Sequence, residues 1–387
     1  MRDVAIIGIG MTPVGEHWHS SLRELASEAL IAALKDSDVK TADALYVGNA
    51  YGSAFSSQSH LGVLVADYAG LRGIEAFSVE AADASGGAAL RTAYLAVASG
   101  AVETALVVGV EKSTDTVGAA RTEARNVSLD ADFESVHGAT LSAIAALLMR
   151  RYMYEHGVEL SAFEGFSINA HANGKRNDFA MFRNTIKPGA FSKAPMVADP
   201  VNLFDGAPDA DGAAALVITS AERAADMVSK PVRIVGSAVA TDTLKLQDRA
   251  DMLHLNAVAL STQKALAQAG MTRDGVDLFE VHDSFTIISA LTLEAAGYAA
   301  RGQGWSLAQD DVIGLKGRLP LCTFGGLKSR GNPVGAAGVY QAVEAVLQLR
   351  GEAGENQVAN AQTALIQNLG GVGSTAISHV LRAFESV

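Results

Sequence analysis

The chain has one cysteine, Cys322, among 387 residues. A single thiol cannot close an intrachain disulfide or build a thiolate metal centre, so a reducing, cytoplasmic setting is expected. Positive charge is in deficit: 30 Lys and Arg against 42 Asp and Glu leave a net charge of −12. That balance argues against a nucleic-acid or anionic-membrane surface, while leaving room for a local basic patch that meets a phosphorylated ligand. Aromatic residues make up only 6%, and no apolar run approaches the roughly 18–20 residues of a membrane span. Neither His17 nor His19 has companions at metal-ligand spacing, so no metal is expected. The opening Met-Arg-Asp-Val-Ala-Ile-Ile-Gly reads straight into a strand, unlike a signal peptide.

What is abundant is small and apolar. Hydrophobic residues reach 49% and glycines number 38, which suits helices packed closely on sheets. Val4–Gly10 reads as a buried strand. Ser21 opens a helix, with Glu24 completing a capping box and Leu22, Leu25, Ala29 and Leu30 on one face. Strands follow at Asp43–Gly48, Ala76–Val79 and Thr104–Val110, with a helix at Leu61–Tyr68. From Val232 the order recurs: strand Val232–Gly236, helix Asn256–Ala269, strand Val276–Val281, turn and helix Gly331–Leu349, strand Thr363–Gln367. So long a period implies a duplicated α/β unit. Between the copies, 118–200 breaks the rhythm and reads as an inserted loop subdomain that covers the site. The N-terminal half is then 1–117 plus 201–230, and the C-terminal half 231–387.

The first half is organised around Glu80–Gly87, Glu-Ala-Ala-Asp-Ala-Ser-Gly-Gly, where a strand ends, small residues turn and an alanine-rich helix begins. Such a corner presents a side chain at a helix N-terminus, where backbone N–H groups favour negative charge. Asp83 occupies it. Ser85, two residues on, reads as packing. Two facing halves bring this elbow and a second one, at Asn332, toward a shared site.

Five stretches recur in a fixed order. They are Val79–Ala88; Asp211-Gly212-Ala213-Ala214-Ala215; Glu280-Val281-His282-Asp283-Ser284-Phe285; Gly325–Gly338; and Asn368-Leu369-Gly370-Gly371-Val372-Gly373. With them the chain resembles the thiolase superfamily, in its archaeal and sterol-carrier-protein-like branch. The resemblance implies an α/β thiolase fold, duplicated halves in a five-layered αβαβα sandwich, a homodimer, and a CoA thioester as ligand with no bound cofactor. It also implies an acylated Cys at the elbow, a His that activates it, and a His-Asp-Cys-Phe motif whose His helps form an oxyanion hole. Relatives in this branch pair with a small zinc-ribbon/OB-fold protein.

At the matching positions the elbow Cys is Asp83, the activating His is Asn332 and the motif Cys is Ser284; His282 alone is retained. A carboxylate acceptor would give a mixed anhydride, an amide moves no proton at neutral pH, and an unassisted hydroxyl is a weak acid and base. Cys-dependent thiolysis is therefore not expected. His282 and Asn332 remain as hydrogen-bond donors to a thioester or ketone oxygen, with Asp83 as a base. Retro-aldol cleavage of a β-hydroxyacyl-CoA fits that set. The alternatives are a catalytically silent CoA-binding or scaffold subunit, and an acetyl-CoA acyltransferase with an unorthodox nucleophile such as Cys322 or Ser85. Lys328 and Arg330 are candidate contacts to CoA phosphates, Cys322 reads as a small buried residue, and His137 and His379 read as structural.

Overall fold

Two half-sheets meet along one shared pair of strands. The computed structural model describes residues 1–309 and 311–384, so the last three residues of the C-terminal half lie outside it. The first half carries β1 (Val4–Met11), α1 (Leu22–Ser37), β2 (Ala44–Gly48), α2 (Gly52–Phe55), α3 (Leu61–Tyr68), β3 (Glu75–Val79), α4 (Ser85–Ser99) and β4 (Thr104–Glu111). The intervening stretch forms α5 (Gly118–Asn126), α6 (Leu141–His156), α7 (Glu164–Gly174), β5 (Met196–Ala198) and β6 (Val201–Asn202). The chain then returns through β7 (Gly212–Ser220) and α8 (Ala221–Met227). The second half is β8 (Val232–Thr241), α9 (Asn256–Gln268), β9 (Leu278–Glu280), α10 (Thr286–Ala295), α11 (Gly326–Ser329), α12 (Ala337–Arg350), β10 (Thr363–Gly370) and β11 (Thr375–Ala383).

Nine strands run in the order β3-β2-β4-β7-β1-β8-β11-β10-β9. The pairings mirror one another across the β1–β8 junction. In the first half β2 runs parallel to β4, β4 antiparallel to β7, and β7 antiparallel to β1. In the second half β9 runs parallel to β10, β10 antiparallel to β11, and β11 antiparallel to β8. Even β3, parallel to β2, has an echo in the parallel bridge Phe279–Leu321 beside β9. The duplication read from sequence is present, and β11, which the sequence reading passed over, is the counterpart of β7.

Helices cover the half-sheets on both faces. α1 and α3 pack with Ala5, Leu45, Leu106 and Val217 on one side. α4 and α12 lie against the opposite face, with Tyr46, Val107, Leu216 and Ile366. α9 packs outside the second half with Val380 and Leu365. The order is helix, sheet, helix, sheet, helix. β4 and β7 are buried along their whole length, as strands covered on two sides must be, which is why they read as unbroken apolar runs.

The two central helices approach closely because glycine lines their contact. A Cβ on Gly86 would lie 2.8 Å from the Gly335 carbonyl oxygen, and one on Gly338 would lie 2.5 Å from the Gly87 nitrogen. The intervening segment does not stand apart: α6 shares a hydrophobic cluster with α9 and α10 through Ile144, Leu148, Tyr152, Val258 and Leu291. Among the described residues no helix is long and apolar enough to cross a membrane.

Candidate active site

The elbow differs in detail from its sequence reading. The left-handed residue is Ala82, at φ 50, and Asp83 follows it, buried at 2% exposure. Ser85 makes the turn: its hydroxyl donates to the Ala82 carbonyl at 2.6 Å and accepts from the Ala81 N–H at 3.0 Å. It is committed to backbone, as expected of a packing residue. Asp83 does not cap α4. Its carboxylate meets Arg125 Nη2 at 3.0 Å and accepts from the Tyr51 hydroxyl at 3.4 Å.

Arg125 is the candidate-site residue the sequence reading missed. It stands near the end of α5, its guanidinium 5.3 Å from the centre of the Tyr51 ring and 3.8 Å from Asp209. Burial works against its charge, but Asp83 and Asp209 more than compensate and hold the guanidinium's pKa above its ordinary value. Around Asp209 the backbone pairs with Asn332 in the second elbow, whose N–H donates to the Pro208 carbonyl at 3.0 Å and whose carbonyl accepts from the Ala210 N–H at 3.1 Å. Asn332 accepts from the Val334 N–H at 3.1 Å through Oδ1, which leaves its amide NH₂ as the donor end. Val334 itself sits at φ 34, a strained value for a β-branched residue.

His282 lies in the loop after β9, 1% exposed. Its pKa is pulled down to about 4 by burial, which the nearby Asp83 and Asp283 only partly offset. Asn368, on β10, joins the two halves: its Nδ2 lies 3.2 Å from His282 Nδ1 and 3.2 Å from the Asp83 carbonyl oxygen. Asn368 thus ties Asp83 to His282, and the Arg125–Asp209 contact leads from Asp83 to the backbone beside Asn332. Asp283, next to His282, accepts from the Leu327 N–H at 2.7 Å and anchors the α11 turn. Ser284 uses its carbonyl to accept from Ala207 N–H at 2.8 Å, and among the described residues no base engages its hydroxyl.

A neutral buried imidazole has a measurable signature. Between about pH 4 and the ordinary value of 6.5 the unfolded chain binds a proton at His282 that the folded chain does not. Stability from this group is therefore complete above 6.5 and is lost as pH falls toward about 4. The stability gap between the parent and His282→Gln, followed by urea unfolding, should shift against the parent over that window by on the order of 3 kcal/mol. A gap that stays constant with pH would contradict a neutral buried ring.

The remaining candidates separate cleanly. Arg330 is not a phosphate ligand: it is fully buried, pairs with Glu344 at 2.7 Å and stacks on Tyr340 at 4.9 Å. Lys328, 2% exposed, is buried as well, so both basic residues of the α11 turn point into the protein. Lys328 lines a cleft of about 720 Å³ with Arg121, Arg125, Lys187 and Phe285, while its ammonium donates to the Asp205 carbonyl. Arg121 and Lys187 are the additional cations of that cleft. Cys322 is 2% exposed, its Sγ faces the Val281 carbonyl at 3.7 Å, and burial pushes its thiol pKa well up, so it is no thiolate nucleophile. His379 Nε2 meets the Gly87 carbonyl at 3.2 Å and serves packing, whereas His137 is exposed. Among the described residues no group of three or more His, Cys, Asp or Glu is arranged to hold a metal ion.

Comparison with known proteins agrees with this frame. The family model described as "Thiolase, N-terminal domain" matches residues 4–198, and "Thiolase C-terminal domain-like" matches 238–383. The chain belongs to the thiolase family. It is 40% identical to an acetyl-CoA acetyltransferase of Methanothermobacter thermautotrophicus, over 98% of this chain and 99% of that one. It is 30% identical to a 17-hydroxy-3-oxo-4-pregnene-20-carboxyl-CoA lyase of Mycobacterium tuberculosis, over 94% and 95% of the two chains. A solved structure titled "Ltp2-ChsH2(DUF35) aldolase" superposes with a TM-score of 0.87 at 25% identity, covering 100% of this chain and 99% of that one. This thiolase-family protein therefore stands between relatives named for acyl transfer and relatives named for carbon–carbon cleavage.

Proposed function

We propose that this thiolase-family protein binds an acyl-CoA thioester and acts at a carbon–carbon bond without forming an acyl-enzyme. The carrying observation is the elbow: Asp83 stands where an acylated Cys would be, and its carboxylate is held by Arg125 and Tyr51. A permanent cation beside a carboxylate opposes attack on a carbonyl. What the site retains is donors. His282 offers a neutral ring N–H and Asn332 an amide N–H, the two groups suited to a thioester oxygen that gains charge.

Retro-aldol cleavage of a β-hydroxyacyl-CoA uses this equipment. Asp83 takes the hydroxyl proton, the Cα–Cβ bond breaks as a carbonyl forms at Cβ, and its electron pair becomes a thioester enolate held by His282 and Asn332. A proton then returns to Cα. The cleft cations Arg121 and Lys187 suit the phosphates of CoA, whereas the Lys328 ammonium is buried and bonded to the Asp205 carbonyl. The relatives named for a CoA lyase and for an aldolase support the reaction class.

A second reading, a silent CoA-binding subunit, is favoured by one feature. Arg125 and Asp209 line the cleft, whereas Asp83 lies behind them at 2% exposure. The strand β3 is a free sheet edge with Phe77 57% exposed, which supports pairing with a second copy of the chain. A small DUF35-type partner is supported by the neighbour whose title names one.

The test combines mass spectrometry with product analysis. Incubation with acetyl-CoA should leave the protein mass unchanged, and β-hydroxyacyl-CoA substrates should yield a carbonyl product plus a shortened acyl-CoA. A covalent adduct on Cys322 or Ser85 would replace this reading with acyl transfer. Tight acyl-CoA binding with no product, even with a partner present, would favour the silent subunit.

A further inference from the structure

We propose that Asn368 is the positioning residue that fixes the tautomer of His282, holding the proton on Nε2 so that the ring offers a donor to the site. The inference rests on His282 serving as a donor, but its geometry stands apart from any reaction. Asn368 reports its own orientation. The Gly87 backbone N–H can only donate, and it lies 3.1 Å from Oδ1, so that end of the amide is the oxygen. The other end is the NH₂ group, 3.2 Å from the Asp83 carbonyl, which can only accept. Two backbone partners of opposite sense therefore agree on one amide orientation.

The consequence falls on the histidine. The same Nδ2 lies 3.2 Å from His282 Nδ1, and an amide nitrogen has hydrogens but no lone pair to offer. Nδ1 must then be the accepting nitrogen, and a neutral ring carries its hydrogen on Nε2. An imidazolium, or the Nδ1–H tautomer, would set two N–H groups against each other. A flipped amide would set its NH₂ against the Gly87 N–H and its oxygen against the Asp83 carbonyl, so the two backbone partners hold it in this sense. The charged groups about the ring are Asp83, Asp283, Arg125 and Arg330, two of each sign, and none bonds Nδ1 in place of Asn368.

A lone Asn at this position carries no sequence signal beyond its place in the run Asn368–Gly373. Its role comes from β10, which sets the side chain between the α4 elbow and the loop after β9. One amide thereby couples the Asp83 elbow to His282 in the loop after β9.

The experiment is nitrogen-15 NMR of the full chain with labelled histidine, the His282 signals being identified by their loss in His282→Gln. Two-bond proton–nitrogen correlations separate a bare ring nitrogen from a protonated one. The parent is expected to show bare Nδ1 and protonated Nε2 from pH 7 down to 5. Asn368→Asp, which turns a second acceptor toward Nδ1, should convert the ring to Nδ1–H or to the imidazolium. A parent with protonated Nδ1, or a folded Asn368→Asp with an unchanged tautomer, overturns the proposal; the parent spectrum decides alone if the variant does not fold. Added acetyl-CoA separates the two readings. If the tautomer is as stated but Nε2 does not respond to saturating acetyl-CoA, the donor role fails while the role of Asn368 stands.

Discussion

Asp83→Cys is expected to be acylated by acetyl-CoA without becoming an efficient thiolase. The new thiol would sit at the start of α4, beside the guanidinium that now lies 3.0 Å from the Asp83 carboxylate. A cation and a helix N-terminus both favour the thiolate, so the first half-reaction is within reach. Completing the cycle needs a group that delivers and recovers a proton near neutral pH. Asn332 cannot, and His282 is neutral with Nδ1 engaged by Asn368. Adding Asn332→His restores a proton carrier at the second elbow, and acetoacetyl-CoA cleavage should rise by about 10²–10⁴-fold over the single variant. The measurements are the mass of the acyl adduct and steady-state cleavage in both variants. Rapid turnover by Asp83→Cys alone would show that proton transfer is supplied from a residue outside this set.

Arg125→Met is expected to produce the largest loss of stability among changes near the site. It would leave the Asp83 carboxylate, 3% exposed, without its cation, and Asp209 without a partner at 3.8 Å. Removing one member of a buried ion pair costs about 3–5 kcal/mol because the other charge is left uncompensated. Converting Asp83 to Asn in the same chain removes that charge and should recover most of the loss. A double-mutant cycle followed by urea unfolding measures the coupling. A single-variant cost below about 1 kcal/mol would mean that the pair is an incidental contact, comparable to an exposed one.

Much of the fold was legible because its signals are local. The capping box at Ser21 and Glu24 forms as read, with mutual bonds at 3.4 and 2.7 Å, and α3 spans Leu61–Tyr68 as expected. The strand at Thr104 and the one at Thr363 were found, since fully covered strands keep their apolar character from end to end. β11 was passed over because Ser378, His379 and Arg382 interrupt it, yet inside the sheet those polar groups find partners: Ser378 bonds Ser261 at 3.0 Å. α5 was passed over for a related reason. Its nine residues are mostly exposed and carry almost no apolar face to betray a helix.

The candidate site divides along the same line. Asp83 was named as a candidate from the small-residue turn before α4, and His282 and Asn332 from the positions they share with the family the chain resembles. Arg125 was not. Its spacing of four from Arg121 puts both on one side of α5, but spacing cannot say that this side faces an acidic elbow some forty residues away in the chain. Lys328 and Arg330 read as neighbours on a basic turn; the fold buries both, tying Lys328 to the Asp205 carbonyl beside the cleft and Arg330 to Glu344.

The sequence alone determined that this is a duplicated α/β thiolase chain whose elbow lacks sulfur, since both facts reside in residue type and order along the chain. Only the tertiary structure decided what became of the carboxylate put there, and which nitrogen of His282 is bare. Those outcomes depend on angles and distances between segments brought together from α5, β10 and the two elbows. Charge and hydrogen-bond polarity act over a few ångströms, and which groups come that close is settled when the half-sheets and central helices pack.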